Sequence, residues 1–149
     1  MTAPATTGQI HWADTFLLGH EEMDDVHHEF VTLLGQLQGA PQAELAARLD
    51  ALAVHTRTHF EMENKWMLET DFPPRDCHID EHAAVLKSID EVRARVALDD
   101  YADVASLAAA LADWFPGHAD YLDSALAQWM CKRRFGGKPV VVRRGLDLS

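Results

Sequence analysis

Between about residue 21 and residue 134 apolar side chains recur at the three-and-four spacing of a helix face, interrupted at three places by turn-forming residues. The first stretch starts near Glu21 and carries Met23, Phe30, Val31, Leu34 and Leu37 before Gly39-Ala40-Pro41. The second, from about Gln42 to Thr70, presents Leu45, Leu49, Leu52, Thr56, His59, Met62/Glu63, Trp66 and Met67, and Phe72-Pro73-Pro74 stops it. The third, from about Arg75 to Leu98, presents His78, His82, Val85, Leu86, Ile89, Val92 and Val96, with Asp99-Asp100 at its last turn. The fourth, from about Tyr101 to Arg134, presents Val104, Leu107, Leu111, Trp114, Phe115, His118, Leu122, Ala125, Leu126 and Trp129. Four long amphipathic helices with short connections predict an all-α fold, an up-down-up-down antiparallel four-helix bundle. The expected organisation is an N-terminal arm over residues 1–19 packed on the bundle, the bundle over 20–134, and a C-terminal basic tail over 135–149. The first strand-like run, Val140-Val141-Val142, lies in that tail.

A chain of 149 residues suits one domain with a real core. Its net charge of −11 is unevenly spread. Residues 1–130 hold seven Lys/Arg against 23 Asp/Glu, whereas residues 131–149 hold six Lys/Arg against Asp147 alone. The acidic body argues against a nucleic-acid partner. The basic tail either folds back on that body or meets an acidic protein partner. No stretch approaches the roughly 20 apolar residues of a membrane helix, and Met1–Gln9 has no signal-peptide pattern. A cytoplasmic protein with no membrane association is expected. The stripes account for most large apolar residues, so a monomer is expected. Cys77 and Cys131 are expected to be reduced thiols.

Polar residues intrude on the apolar stripes in one pattern. His27, His59, His78, His82 and His118 each lie on the apolar face of a helix, and all four helices contribute. His59 and Glu63 are four apart, as are His78 and His82, so each pair stacks on one face. A single core histidine is readily satisfied by hydrogen bonding, but five imidazoles and a glutamate in one core are hard to satisfy without an ion. His55, one turn before His59, is a rival; His28, His20 and His11 sit off the stripe or in the arm. All four are read as non-ligands. Asp123 has the weakest periodic support, since five residues after His118 it lies about 140° around an ideal helix. It is either a solvated aspartate or is brought inward by its own reach or by a local π-type widening. Pro116 removes a helical hydrogen bond just before His118 and bears on the same question.

These residues resemble the hemerythrin family, specifically the stand-alone bacterial hemerythrins, over roughly residues 10–130. Trp12-x-x-x-Phe16-x-x-Gly19 followed by Met23-Asp24-x-x-His27 is similar to the family's opening element. His59-Phe60-x-x-Glu63-x-x-x-Met67 resembles the second element, and Phe72-Pro73 before His78-x-x-x-His82 the third. Trp114-Phe115-x-x-His118-x-x-x-x-Asp123 resembles the last, and the similarity brings Asp123 into the ligand set.

The resemblance implies two non-haem Fe ions. His78, His82 and His118 hold one, His27 and His59 the other, with Glu63, Asp123 and an oxo or hydroxo group as bridges. One position is left open for O2, in a pocket that Trp66, Met67, Trp114, Phe115 and Ala119 keep dry. Imidazole with some carboxylate suits iron better than Mg2+ or Ca2+. A histidine-rich set also favours reversible two-electron chemistry with O2 over the oxidations of carboxylate-rich bundles. The expected function is therefore reversible O2 binding for storage, delivery or sensing, without enzymatic turnover. A di-iron oxidase, peroxidase or nitric-oxide-handling enzyme is the second reading; an iron store and a metal-free bundle follow. Four departures from the family pattern stand out. Val26 replaces a usual glutamine, Asn64 a common second glutamate, Ala119 a bulkier aliphatic residue, and Pro116-Gly117 is unusual in this helix. Val26 and Asn64 are expected to alter hydrogen bonds that orient ligating imidazoles. Ala119 is expected to widen the pocket, which speeds autoxidation and admits anions such as azide.

Overall fold

Three short connections separate four helical rods in the computed structural model, which describes residues 9–134. Helix α1 spans Glu21–Gln38, α2 Gln42–Glu69 and α3 Arg75–Val96. The fourth rod is built in three pieces: α4 over Val104–His118, a π-helical turn over Ala119–Asp123, and α5 over Ser124–Arg134. Helix α1 packs against α2 and α4, and α3 packs against the same two, so the rods close in a ring. The described residues form no strand. Residues 1–8 and 135–149, and with them the strand-like run in the tail, lie outside the described residues.

The helix ends follow from local chemistry. Asp71 adopts a left-handed conformation (φ 52°) after α2, and the Phe72 N–H donates to the Met67 carbonyl at 3.0 Å, closing the last turn. Asp99 (φ 62°) does the same after α3, with the Asp100 N–H returned to the Arg95 carbonyl at 2.9 Å. Regular helix therefore ends at Val96, two residues before the expected Leu98. The fourth rod starts at Val104 and not at Tyr101. The Asp100 carboxylate accepts the Ala102 N–H at 3.1 Å, a local turn that competes with helical bonding there.

Residues 9–19 lie against the bundle. Ile10, Trp12 and Phe16 pack on its core, and the Asp24 carboxylate accepts the Leu18 and Gly19 N–H groups at 2.8 and 3.2 Å. The arm passes so close to α1 that a Cβ on Gly35 would come within 3.1 Å of the Ile10 carbonyl oxygen. His20, which precedes the first apolar stripe, is buried and caps α1, its Nδ1 accepting the Met23 N–H at 3.2 Å.

The apolar core divides in two. The larger cluster includes Phe30, Leu34, Leu52, Phe60, Ile89, Leu111 and Phe115. The smaller is formed by Met23, Met67, Phe72, Leu126 and Ala127. Polar residues of the stripe separate the two clusters: His27 falls between Met23 and Phe30, and Glu63 between Phe60 and Met67. A buried polar layer thus crosses a bundle whose two ends are held by hydrophobic burial, worth about 1.5–3 kcal/mol for each large side chain.

Candidate metal centre

The layer contains His27, His59, Glu63, His78, His82, His118 and Asp123, all buried. Helix α1 contributes His27, α2 His59 and Glu63, and α3 His78 and His82, the pairs in α2 and α3 standing one helical turn apart. The fourth rod contributes His118 at the end of α4 and Asp123 at the end of the π turn. In an unbroken α-helix, five residues would turn Asp123 away from His118. The wider π turn absorbs the extra residue, and His118 Nε2 stands 3.3 Å from Asp123 Oδ1.

The donor atoms fall into two overlapping groups, Glu63 with His78, His82, His118 and Asp123, and Glu63 with His27 and His59. Glu63 Oε2 lies 2.7 Å from His59 Nε2 and 3.4 Å from His27 Nε2, while its Oε1 lies 3.3 Å from His82 Nε2 and 3.7 Å from His78 Nε2. Asp123 Oδ2 lies 3.0 Å from His27 Nε2, and its Oδ1 lies 2.9 Å from His78 Nε2. Two donors bound about 2 Å from one ion sit about 3 Å apart, so this spacing fits a metal.

Hydrogen bonding leaves several of these atoms over. Glu63 Oε1, both Asp123 oxygens, and the Nε2 atoms of His27 and His78 have no partner in hydrogen-bond geometry among the described residues. They are close but mutually misaligned, as lone pairs aimed at a common point would be. The same closeness couples the groups electrostatically. Burial alone would lower His27, but Asp123 and Glu63 outweigh it and raise its pKa to about 10. Burial raises Asp123, yet His118, His27 and His78 hold it well below the usual carboxylate range, and Glu63 is lowered in the same way by His59 and His27. Buried carboxylates that stay anionic call for positive charge beside them, and a metal ion supplies it.

Residues just outside the layer hold individual imidazoles. His82 Nδ1 donates to Asn64 Oδ1 at 2.8 Å, and Phe60 stacks on the His82 ring at 3.9 Å. Asn64 therefore keeps an acceptor where the family pattern has glutamate. His118 Nδ1 and Trp114 Nε1 both donate to Glu81 Oε1, each at 2.8 Å. Glu81 carries no periodic signal, because it flanks the stripe and meets its partners only across helices. Burial raises the Glu81 pKa, but those two donors bring it below the usual range.

The residues read as non-ligands all point elsewhere. His55 Nε2 bonds the Val26 carbonyl at 3.0 Å, and burial lowers its pKa. His28 packs on Trp12, and His11 is exposed. Cys77 is an exposed thiol, and Cys131 is a buried one whose S–H donates to the Gly19 carbonyl at 3.8 Å.

The five expected pocket residues separate. Phe115 meets the His27 ring edge-on at 5.4 Å, Trp114 lies 4.3 Å from the His118 ring, and Ala119 is buried in the same large cluster. Trp66 packs on His20, and with Met67 it belongs to the smaller cluster on the other side of the layer. Among the described residues no helix is long and apolar enough to cross a membrane.

A family model described as the hemerythrin HHE cation binding domain matches residues 18–130. Bacteriohemerythrin of Ralstonia nicotianae is 40% identical over 124 residues, covering 83% of this chain and 90% of that protein. Bacteriohemerythrin of Stenotrophomonas maltophilia is 26% identical over 139 residues, covering 85% of this chain and 90% of that protein. No solved structure matches.

Proposed function

The chain belongs to the hemerythrin family, and from that membership we propose that it binds O2 reversibly at a non-haem di-iron centre, for storage, delivery or sensing. His78, His82 and His118 hold one iron, and His27 and His59 hold the other. Glu63 and Asp123 bridge them together with a solvent-derived oxo or hydroxo group. The observation that carries this reading is the division of each carboxylate's oxygens between the two histidine sets. When bound, the iron pair supplies the two electrons that O2 binding requires.

The chain's own residues supply the rest. Phe115 lies edge-on to His27 and Phe30 edge-on to His59, so aromatic carbon covers the side with fewer protein donors. Phe16 from the arm packs on Phe115 from outside. Such a wall excludes water, which favours return of bound O2 over its loss as a reduced species. Of the pocket residues, Phe115 lies on this side and Trp114 lies over His118, Ala119 is buried in the same large cluster, and Trp66 and Met67 belong to the smaller cluster across the layer.

The test is iron analysis with an optical spectrum taken after anaerobic reduction, then in air, then after re-evacuation. About two irons per chain with a visible band that appears in air and fades on evacuation is expected. A band that air bleaches irreversibly, or that decays as a substrate is consumed, would favour a di-iron enzyme.

A further inference from the structure

Every imidazole of the layer with an outer acceptor lies on one side of it. His118 Nδ1 is held by Glu81 and His82 Nδ1 by Asn64, whereas the Nδ1 atoms of His27, His59 and His78 have no partner among the described residues. The ligand count is lopsided in the same direction, with five groups around His78, His82 and His118 against four around His27 and His59 once Asp123, 3.0 Å from His27 Nε2, is included.

Glu81 is central to this asymmetry. It stands one residue before His82, off the ligand stripe and at the seam between α3 and α4. A single oxygen takes both the imidazole N–H of His118 and the indole N–H of Trp114. The first bond places the proton on Nδ1 and turns the lone pair of His118 Nε2 toward the layer, and a carboxylate partner makes that nitrogen more basic. The second fixes the Trp114 ring over His118, 4.3 Å away and tilted by 32°. Among the described residues no acceptor meets Nδ1 of His27 or His59, which pack instead on Phe115 and Phe30.

We propose that Glu81 is a positioning residue that makes the two metal positions unequal, so that the His78–His82–His118 position binds more tightly and fills first. This rests on the two-metal reading above. Protein carrying one ion is then a defined species, with the His27–His59 position the first to empty on dilution or chelation.

The experiment is a Co2+ titration of metal-stripped protein, followed by visible absorption and tryptophan emission, on the wild type, Glu81→Gln and Glu81→Ala. Circular dichroism confirms that each variant is folded. The wild type is expected to bind in two steps separated by at least about tenfold. Glu81→Gln keeps an acceptor but loses the charge, and weakens the first step by about 10–100-fold with the second unchanged. Glu81→Ala weakens it further and alters the Trp114 emission. His82→Ala removes the first step, and His27→Ala spares it. A folded Glu81→Gln whose first step matches the wild type, or whose melting temperature alone falls, overturns the proposal. Two equivalent ions in the wild type overturn it as well. A wild type that binds no Co2+ overturns the two-metal reading and this inference together.

Discussion

Glu63 and Asp123 lie on different helices yet divide their oxygens in the same way. His27 Nε2 faces Oε2 of one and Oδ2 of the other, at 3.4 and 3.0 Å, while His78 Nε2 faces the remaining oxygens at 3.7 and 2.9 Å. Two carboxylates in one buried layer would repel strongly if they met head-on. Placed between two imidazole sets, each is compensated on both sides.

Asp123 reaches the layer because the π turn absorbs one extra residue. Removing the exposed Asp120 should therefore relax the turn to α-helix and leave His118 and Asp123 one helical turn apart. Metal content should stay at the wild-type value, and the melting temperature should not fall. Loss of metal from a folded deletion variant would show that the widened turn itself is required.

Metal removal should cost stability, because the ion binds the folded layer and not the unfolded chain. At a free ion concentration about 100 times Kd the linkage amounts to about 2.7 kcal/mol. Calorimetry before and after chelation measures it. Equal melting temperatures would argue for a bundle whose polar layer holds no ion.

The metal-stripped protein should be less stable at pH 9 than at pH 7. His27 is raised from 6.5 to about 10 in the folded state, and His118 is raised too, in each case by carboxylates that outweigh burial. Their contribution is complete below about 6.5 and is lost as pH climbs toward 10. His82 and His55 are lowered, chiefly by burial, and are neutral in both states across this window. Glu63 and Asp123 are lowered, so their share fails only in acid. The urea midpoint at the two pH values decides this; a midpoint that rises toward pH 9 would contradict it.

Ala119→Ile should slow autoxidation and azide entry of the iron-loaded protein. Ala119 is buried beside His118 in the cluster that contains Phe115, so added carbon goes into the proposed O2 side. Overpacking costs of about 1–3 kcal/mol in stability are expected. An unchanged autoxidation rate in the folded variant would remove Ala119 from the pocket.

Gly117→Ala should stabilise the fold by about 0.5–1 kcal/mol. Gly117 is exposed within α4, and a Cβ there meets nothing within 4 Å. Thermal denaturation of the metal-stripped form, where ligand binding does not contribute, is the cleanest measure. A lower melting temperature would mean that the Pro116-Gly117 pair is needed to shape the turn that follows.

The one-dimensional pattern was enough for the four rods, for six of the seven residues in the polar layer, and for the inward faces up to His118; beyond it the π turn shifts the phase, so that Ala127 is buried and Ala125, expected inward, is exposed. Helical phase is a property of spacing alone, and burying each stripe forces His27, His59, Glu63, His78, His82 and His118 toward one axis. It was not enough for Asp123, whose inward position needs a turn of different pitch and came instead from the resemblance to a family. Nor could it yield Glu81, whose carboxylate meets Trp114 and His118 only when α3 and α4 are set side by side at one axial level. The grouping of Trp66 with Met67 on one side of the layer, and of Trp114 with Phe115 on the other, has the same origin. Spacing states which way a side chain faces; only the packed helices decide at what height it stands and which atoms it meets.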